Sequence, residues 1–262
     1  MKHLYVLFLL LFLFGACTPA YIPSPVNAPF FKKKGDGQLN LLTSDQSGHT
    51  AQVSYAMSDK IFVLGSANML DRERREYNAW STIWSDSLRS SQEFKSFDIG
   101  LGYYKRFKKG VFEVSGGYGY GEFKVLHHSE RLDEDAQYLR LFDEQWQGRY
   151  YKIFVQPGIG LTIDDIEFRG EHLYLVLGFS HRYTFVGTNE SGFHFTDLYT
   201  EPAVSFKFGY KNVRFYMQSG VSIKLSYNDL DFASGKEYGH DAFLFSMGVA
   251  LDFNIFHKMP KL

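Results

Sequence analysis

From Ala242 to Ile255 the chain alternates strictly, with Phe243, Phe245, Met247, Val249, Leu251, Phe253 and Ile255 on one side and Ala242, Leu244, Ser246, Gly248, Ala250, Asp252 and Asn254 on the other. A period of two is the geometry of an extended strand, in which successive side chains point to opposite faces. The same split recurs upstream. Val213, Phe215, Met217, Val221, Ile223 and Leu225 oppose Arg214, Tyr216, Gln218, Gly220, Ser222 and Lys224, and Tyr151, Ile153, Val155, Ile159 and Leu161 oppose Lys152, Phe154, Gln156, Gly158, Gly160 and Thr162. No stretch of useful length repeats with helical spacing.

This periodicity predicts an all-β chain of about ten strands near 38–44, 49–57, 60–69, 93–106, 111–126, 147–162, 167–185, 196–209, 212–227 and 240–256. Tight connections are expected at Ser58-Asp59, Phe107 to Gly110, Ile163 to Ile166 and Tyr210-Lys211, and long polar ones at 70–92, 127–146, 186–195 and 228–239. The first connection, 45–48, is short where a long one is expected. Short turns on one side and long loops on the other are the pattern of a closed, up-and-down antiparallel transmembrane β-barrel with periplasmic turns and extracellular loops. Pro202 falls inside the eighth strand, where it removes a ladder donor and predicts a bulge or a later strand start.

Periodicity alone does not say which face points outward, because a soluble barrel would turn its apolar face in around a ligand. Here the apolar face is bulky and aromatic, in a chain with 26 Phe and 18 Tyr, while the other face is rich in Gly and Ser. That second face also carries Asp98, Glu113, Lys152, Arg182, Glu201, Lys207, Arg214, Lys224 and Asp252, five basic and four acidic groups able to pair across a lumen. An Arg or Lys against lipid at the midplane costs about 2–4 kcal/mol, so in a spanning barrel these groups face inward. About eight strands leave a lumen just filled by side chains, so ten strands with inward Arg, Lys and Tyr predict no large open pore.

The N-terminus predicts export. Met1-Lys2-His3, the apolar run Leu4 to Phe14 and Gly15-Ala16 have the parts of a secretory signal over residues 1–16, directly before Cys17, the one cysteine of the chain. Small residues just before a cysteine resemble a bacterial lipoprotein signal, which implies lipidation of Cys17 as the mature N-terminus. Residues 17–37, with Pro19, Pro23, Pro25 and Pro29, read as an extended tether. Residues 38–256 then form the barrel and 257–262 a C-terminal tail. An even strand number leaves both barrel ends in the periplasm, where such an anchor would meet the inner leaflet. The run Lys32-Lys33-Lys34 reads as a solvated turn, with anionic head groups as the sharper alternative.

The phrase Ala20-Tyr21-Ile22-Pro23 … Asn27-Ala28-Pro29-Phe30, followed by a Lys- and Gly-rich entry to a strand, resembles the N-terminus of Bacteroidetes outer-membrane β-barrel proteins over about residues 14–65. Such proteins are mostly without an assigned function. Ser246 to Phe253 resembles the C-terminal signal read by the barrel-assembly machinery. The resemblance implies that machinery and outer-membrane lipid as partners.

Chemistry is sparsely signalled. A net charge of −1 gives no basic surface for nucleic acid. No phosphate loop or zinc pattern is present, so no cofactor or metal is expected, and the glycines of 116–121 lie in a strand rather than before a helix. His127-His128-Ser129-Glu130 is the one run holding a base, a nucleophile and an acid, and it motivates an alternative reading as a lipid-modifying hydrolase. Read structurally, it simply opens a polar loop. Asp133, Glu134, Asp135, Asp143 and Glu144 are carboxylates in that loop, where a divalent ion is the sharper reading, and Trp80, Trp84 and Trp146 fit an interfacial girdle. The leading expectation is a non-enzymatic barrel with an envelope-integrity or surface-interaction role. A third reading is a lipid-anchored soluble-type barrel around a small apolar ligand.

Overall fold

A computed structural model describes residues 21–77, 87–132, 139–168, 171–190, 193–210, 212–225 and 242–254. It contains strands β1 (Asp36–Ser44), β2 (Gly48–Ala56), β3 (Ile61–Tyr77), β4 (Ser87–Phe107), β5 (Gly110–Leu132), β6 (Leu139–Phe168), β7 (Glu171–Glu190), β8 (Phe193–Tyr210), β9 (Val213–Lys224) and β10 (Ala242–Asn254). Each strand pairs with the next, and β1 closes on β10 from Asp36↔Asn254 to Ser44↔Ser246, so the sheet is a closed antiparallel barrel of ten strands. Closure leaves no unpaired edge, which lipid would not tolerate.

The orientation follows the sequence pattern. Phe245, Met247, Val249, Leu251 and Phe253 are exposed on the outer surface, as are Ile99 at 60% and Ile153 at 57%, while Asp98, Lys152 and Lys207 are buried within. The outward residues of β6 are apolar from Tyr151 to Ile163, except at Pro157. Twelve residue steps at about 3.3 Å, on a strand tilted roughly 45°, rise about 28 Å. An outer-membrane apolar band is about 25 Å tall. At its upper margin Phe97, Tyr120 and Tyr151 stand in one cross-strand row, and the next outward row is Lys95, Glu122 and Arg149. Greasy rings give way to charge within a single step of the pleat. We take this row as the long-loop boundary of the apolar band.

Several connections differ from expectation. β3 to β6 run well past the boundary, so much of 70–92 and 127–146 is paired strand rather than loop. Likewise β7 and β8 extend to Glu190 and Phe193, which shortens the 186–195 connection to two residues. Above the boundary the outward face turns polar while Leu70, Phe94, Phe123 and Val125 are still buried on the inward face, and further up runs such as Arg72-Glu73-Arg74-Arg75-Glu76 lose the alternation that marks strands below. Ile163 to Ile166 is not a turn but a register shift within β6, and the reversal comes after Phe168. Pro202 makes neither a bulge nor a late start. β8 begins nine residues earlier, and its ladder to β9 passes from Thr200↔Ile223 to Ala203↔Gly220 without a change of register. The first connection is as short as it looks, held by the N–H groups of Gln46 and Ser47 donating to Ser44 Oγ. Gly48 follows at φ 74°, where an added Cβ would lie 2.3 Å from the Met69 carbonyl oxygen.

The largest departure concerns the proline-rich segment. Residues 21–31 are not a tether outside the barrel but are buried throughout. They enter the lumen beside β6 at the level of Tyr150 and descend past Lys152 and Gln156 to Gly160. Gly35, at φ 84°, donates its N–H to the Ala56 carbonyl, and Asp36 accepts the N–H groups of Lys32 and Lys33. The chain thus reverses at the short-turn mouth and rises again as β1.

Candidate functional site

The lumen is the one place where the described chain gathers buried polar chemistry, and its occupant is the chain's own Tyr21 to Phe31. Pro23, Pro25 and Pro29 hold this segment extended and carry no N–H, so it presents more acceptors than donors. The wall supplies donors in matching order. Five successive carbonyls, those of Ser24, Pro25, Val26, Asn27 and Ala28, accept from Arg182 Nη2 (2.7 Å), Gln52 Nε2 (2.8 Å), Gln218 Nε2 (3.0 Å), Gln156 Nε2 (2.9 Å) and Lys207 Nζ (2.8 Å). Gln218 Oε1 takes the Val26 N–H at 2.7 Å, so one side-chain amide pairs with the segment as a neighbouring strand would. Glu113 accepts the Phe30 N–H at 3.0 Å. Asn27 reaches outward, donating to the Val53 and Gly65 carbonyls and accepting from Ser54.

Two apolar clusters enclose a polar layer. Tyr21 and Ile22 pack near the long-loop mouth with Leu70, Phe94, Phe123, Val125, Tyr150, Val186 and Tyr199. Val26, Ala28, Phe30 and Phe31 pack near the short-turn mouth with Phe62, Leu64, Tyr104 and Phe154, among others. Between them Lys152 meets Asp98 at 2.9 Å and Arg182 meets Glu201. Ser24 joins the first pair by donating to Asp98 at 3.2 Å, and Tyr21 joins the second by donating to Glu201 at 3.0 Å. Ions buried this deeply are tolerated only when paired and hydrogen-bonded. Each of these is.

The inward charges named from sequence therefore separate by partner. Arg214 pairs with Asp252 at 2.6 Å, Lys207 donates to Gln38 and Ala28, and Glu113 is held by Phe30. Lys224 pairs with Asp197 at 3.2 Å, a partner that sequence reasoning did not single out. It placed Gln156 and Gln218 on the inward face without a role and did not name Gln52, since a lone glutamine on a strand carries no pattern until its acceptor is known. Below the plug a cavity of about 590 Å³ opens at the short-turn mouth beside Phe30, Lys32, Arg106, Tyr174 and Arg214.

Glycines on the lumen face are sockets for particular rings. An added Cβ on Gly178 would lie 2.3 Å from Phe30, on Gly160 2.6 Å from the same ring, and on Gly121 2.3 Å from Tyr150. Gly178→Val is accordingly expected to destabilise the barrel by about 1–3 kcal/mol through overpacking against Phe30. Gly65→Ala, whose new methyl would meet its nearest atoms at 3.6 Å, should be close to neutral. Midpoint temperatures for loss of the compact form on unboiled gels compare the two. Equal midpoints would mean that Phe30 is not seated there.

The proposed hydrolase cluster is not a loop. His127, His128, Ser129 and Glu130 lie within β5 and pair along β6 with Glu144, Asp143, Phe142 and Leu141. Consecutive positions of a strand alternate between faces, so the backbone does not collect this run on one side. The side chains of these four and of Trp146, Asp143 and Glu144 lie outside the described residues, as do Cys17, Trp80, Trp84 and 133–135 altogether. Among the described residues no three His, Cys, Asp or Glu side chains are gathered as for a metal ion.

No family model matches the chain, and no curated protein does. Solved structures of similar shape are outer-membrane barrels. The outer membrane protease OmpT of Escherichia coli is 11% identical, covering 88% of this chain and 100% of its own at a TM-score of 0.43. CarO of Acinetobacter baumannii is 7% identical over 84% and 98% at 0.33, and the translocator domain of the autotransporter NalP of Neisseria meningitidis 12% over 83% and 86% at 0.31. These are likenesses of fold.

Proposed function

We propose that the chain is a bacterial outer-membrane β-barrel that acts without catalysis, in envelope integrity or surface interaction, with no large open pore. The observation that carries this reading is an apolar outer belt ending at the Phe97–Tyr120–Tyr151 row, around a lumen filled by the chain's own Tyr21 to Phe31. The soluble-type alternative loses its support, because the apolar belt faces outward and the middle of the lumen is taken by residues 21–31 and their polar partners. In this reading Ser246 to Phe253 is presented to the barrel-assembly machinery, and acylated Cys17 adds a second attachment to the membrane.

The barrel itself should hold the protein in the membrane. The Cys17→Ser variant is expected to stay in the outer-membrane fraction after carbonate washing and to migrate faster unboiled than boiled. Adding Val155→Arg, which places a cation near mid-belt on an outward position 50% exposed, should destabilise insertion by about 2–4 kcal/mol and shrink the heat-modifiable fraction. Release of Cys17→Ser into the wash, or indifference to Val155→Arg, would overturn the reading.

A further inference from the structure

The direction in which the plug threads the lumen fixes where the chain ahead of it emerges. Tyr21 packs against Tyr150 at 5.5 Å and Tyr199 at 4.9 Å. Tyr150 is the inward neighbour of Tyr151, the residue of the long-loop boundary row. Phe30, nine residues on, sits between Gly160 and Gly178 near the opposite mouth. The N-terminal end of the segment is thus at the long-loop end of the barrel.

We propose that the polypeptide preceding Tyr21 leaves through the long-loop mouth, so that the N-terminus is displayed on the cell surface rather than in the periplasm. Two routes back are closed. The lumen below Tyr21 is filled by residues 22–31, and the wall has no lateral opening, because all ten strand neighbours are paired around the ring. Length closes the remaining one. Cys17 is four residues from Tyr21, an extended reach of about 14 Å at most. The short-turn boundary is roughly 25 Å away. An acyl group on Cys17 would therefore lie in the outer leaflet, opposite to where strand parity alone places it.

This inference rests on the outer-membrane reading, and labelling of intact cells tests the two separately. One epitope is inserted between Thr18 and Pro19, a second in the 226–241 connection, and a third between Ser58 and Asp59. The first two should bind an impermeant antibody about equally in intact and permeabilised cells, and the third only after permeabilisation. If the 226–241 epitope labels in intact cells while the Thr18 epitope stays dark, the N-terminal exit is wrong and the barrel reading stands. If the 226–241 epitope is dark as well, the outer-membrane reading itself fails. A Cys17→Ser, Thr18→Cys variant, whose one thiol is probed with an impermeant maleimide, repeats the test without an insertion. Protection of that thiol until lysis equally overturns the proposal.

Discussion

Replacing Tyr21 to Phe31 by a Gly-Ser segment of equal length should turn a closed barrel into a conducting one, with discrete sub-nanosiemens steps in planar bilayers where the natural chain gives none. Eleven residues leave the lumen, among them the rings of Tyr21, Phe30 and Phe31 that now fill it. What remains on the wall includes a wettable layer of Asp98, Glu113, Lys152, Arg182, Glu201 and Lys207, together with three glutamines relieved of their acceptors. Ten strands lie only a little above the eight whose lumen side chains just fill, and well short of the 16 that enclose a wide channel, so the opening is narrow. Burying a large apolar side chain is worth about 1.5–3 kcal/mol, and the variant should also lose its compact form at a lower temperature. A silent bilayer would mean that the wall side chains close the lumen without help.

The fold was legible where lipid imposes it. Within the apolar band one face meets hydrocarbon and the other the lumen, and this contrast writes period two into β10, β9 and β6. Beyond the Tyr120–Tyr151 row the outward face turns polar, and past Leu70, Phe94 and Val125 the same strands continue in polar sequence without a signature. Pro202 misled for a related reason. A proline removes one donor, but the ladder of β8 steps over Glu201 and Pro202 and resumes in register, which no local rule foretells.

The lumen was half legible. Charge on the face opposite the aromatics marked Lys152, Arg182, Glu201 and their companions as inward residues. The plug was not visible, since Pro23, Pro25 and Pro29 suit an extended tether as well as an extended strand. The difference lies in partners 27 and 192 residues away: a carbonyl of Pro25 that meets Gln52, and one of Val26 that meets Gln218. Such complementarity belongs to the closed barrel and to neither segment alone.

Glu201→Ala is expected to be the most destabilising single substitution in the wall. Its carboxylate is met by Arg182, by Thr184 at 2.8 Å, by Tyr21 at 3.0 Å and by Ser222 at 3.3 Å, all deep in the lumen. Removing it strands the guanidinium of Arg182 beside the Ser24 carbonyl, and breaking a buried pair in this way typically costs about 3–5 kcal/mol. Arg149→Ala is the contrast, because Arg149 and Glu122 meet at 3.3 Å with side chains 73% and 51% exposed, and such a pair is worth about 0–1 kcal/mol. Replacing both buried partners, as Arg182→Met with Glu201→Leu, should recover much of the loss, since no unpaired charge is then left. Urea midpoints in detergent for the two single variants and the double variant give the coupling directly. Because Arg182 and Glu201 also hold Ser24 and Tyr21, Glu201→Ala should in addition loosen the plug, and bilayer recordings should show brief openings absent from the natural chain. A loss below 1 kcal/mol with a silent lumen would mean that this pair neither stabilises the barrel nor retains its internal strand.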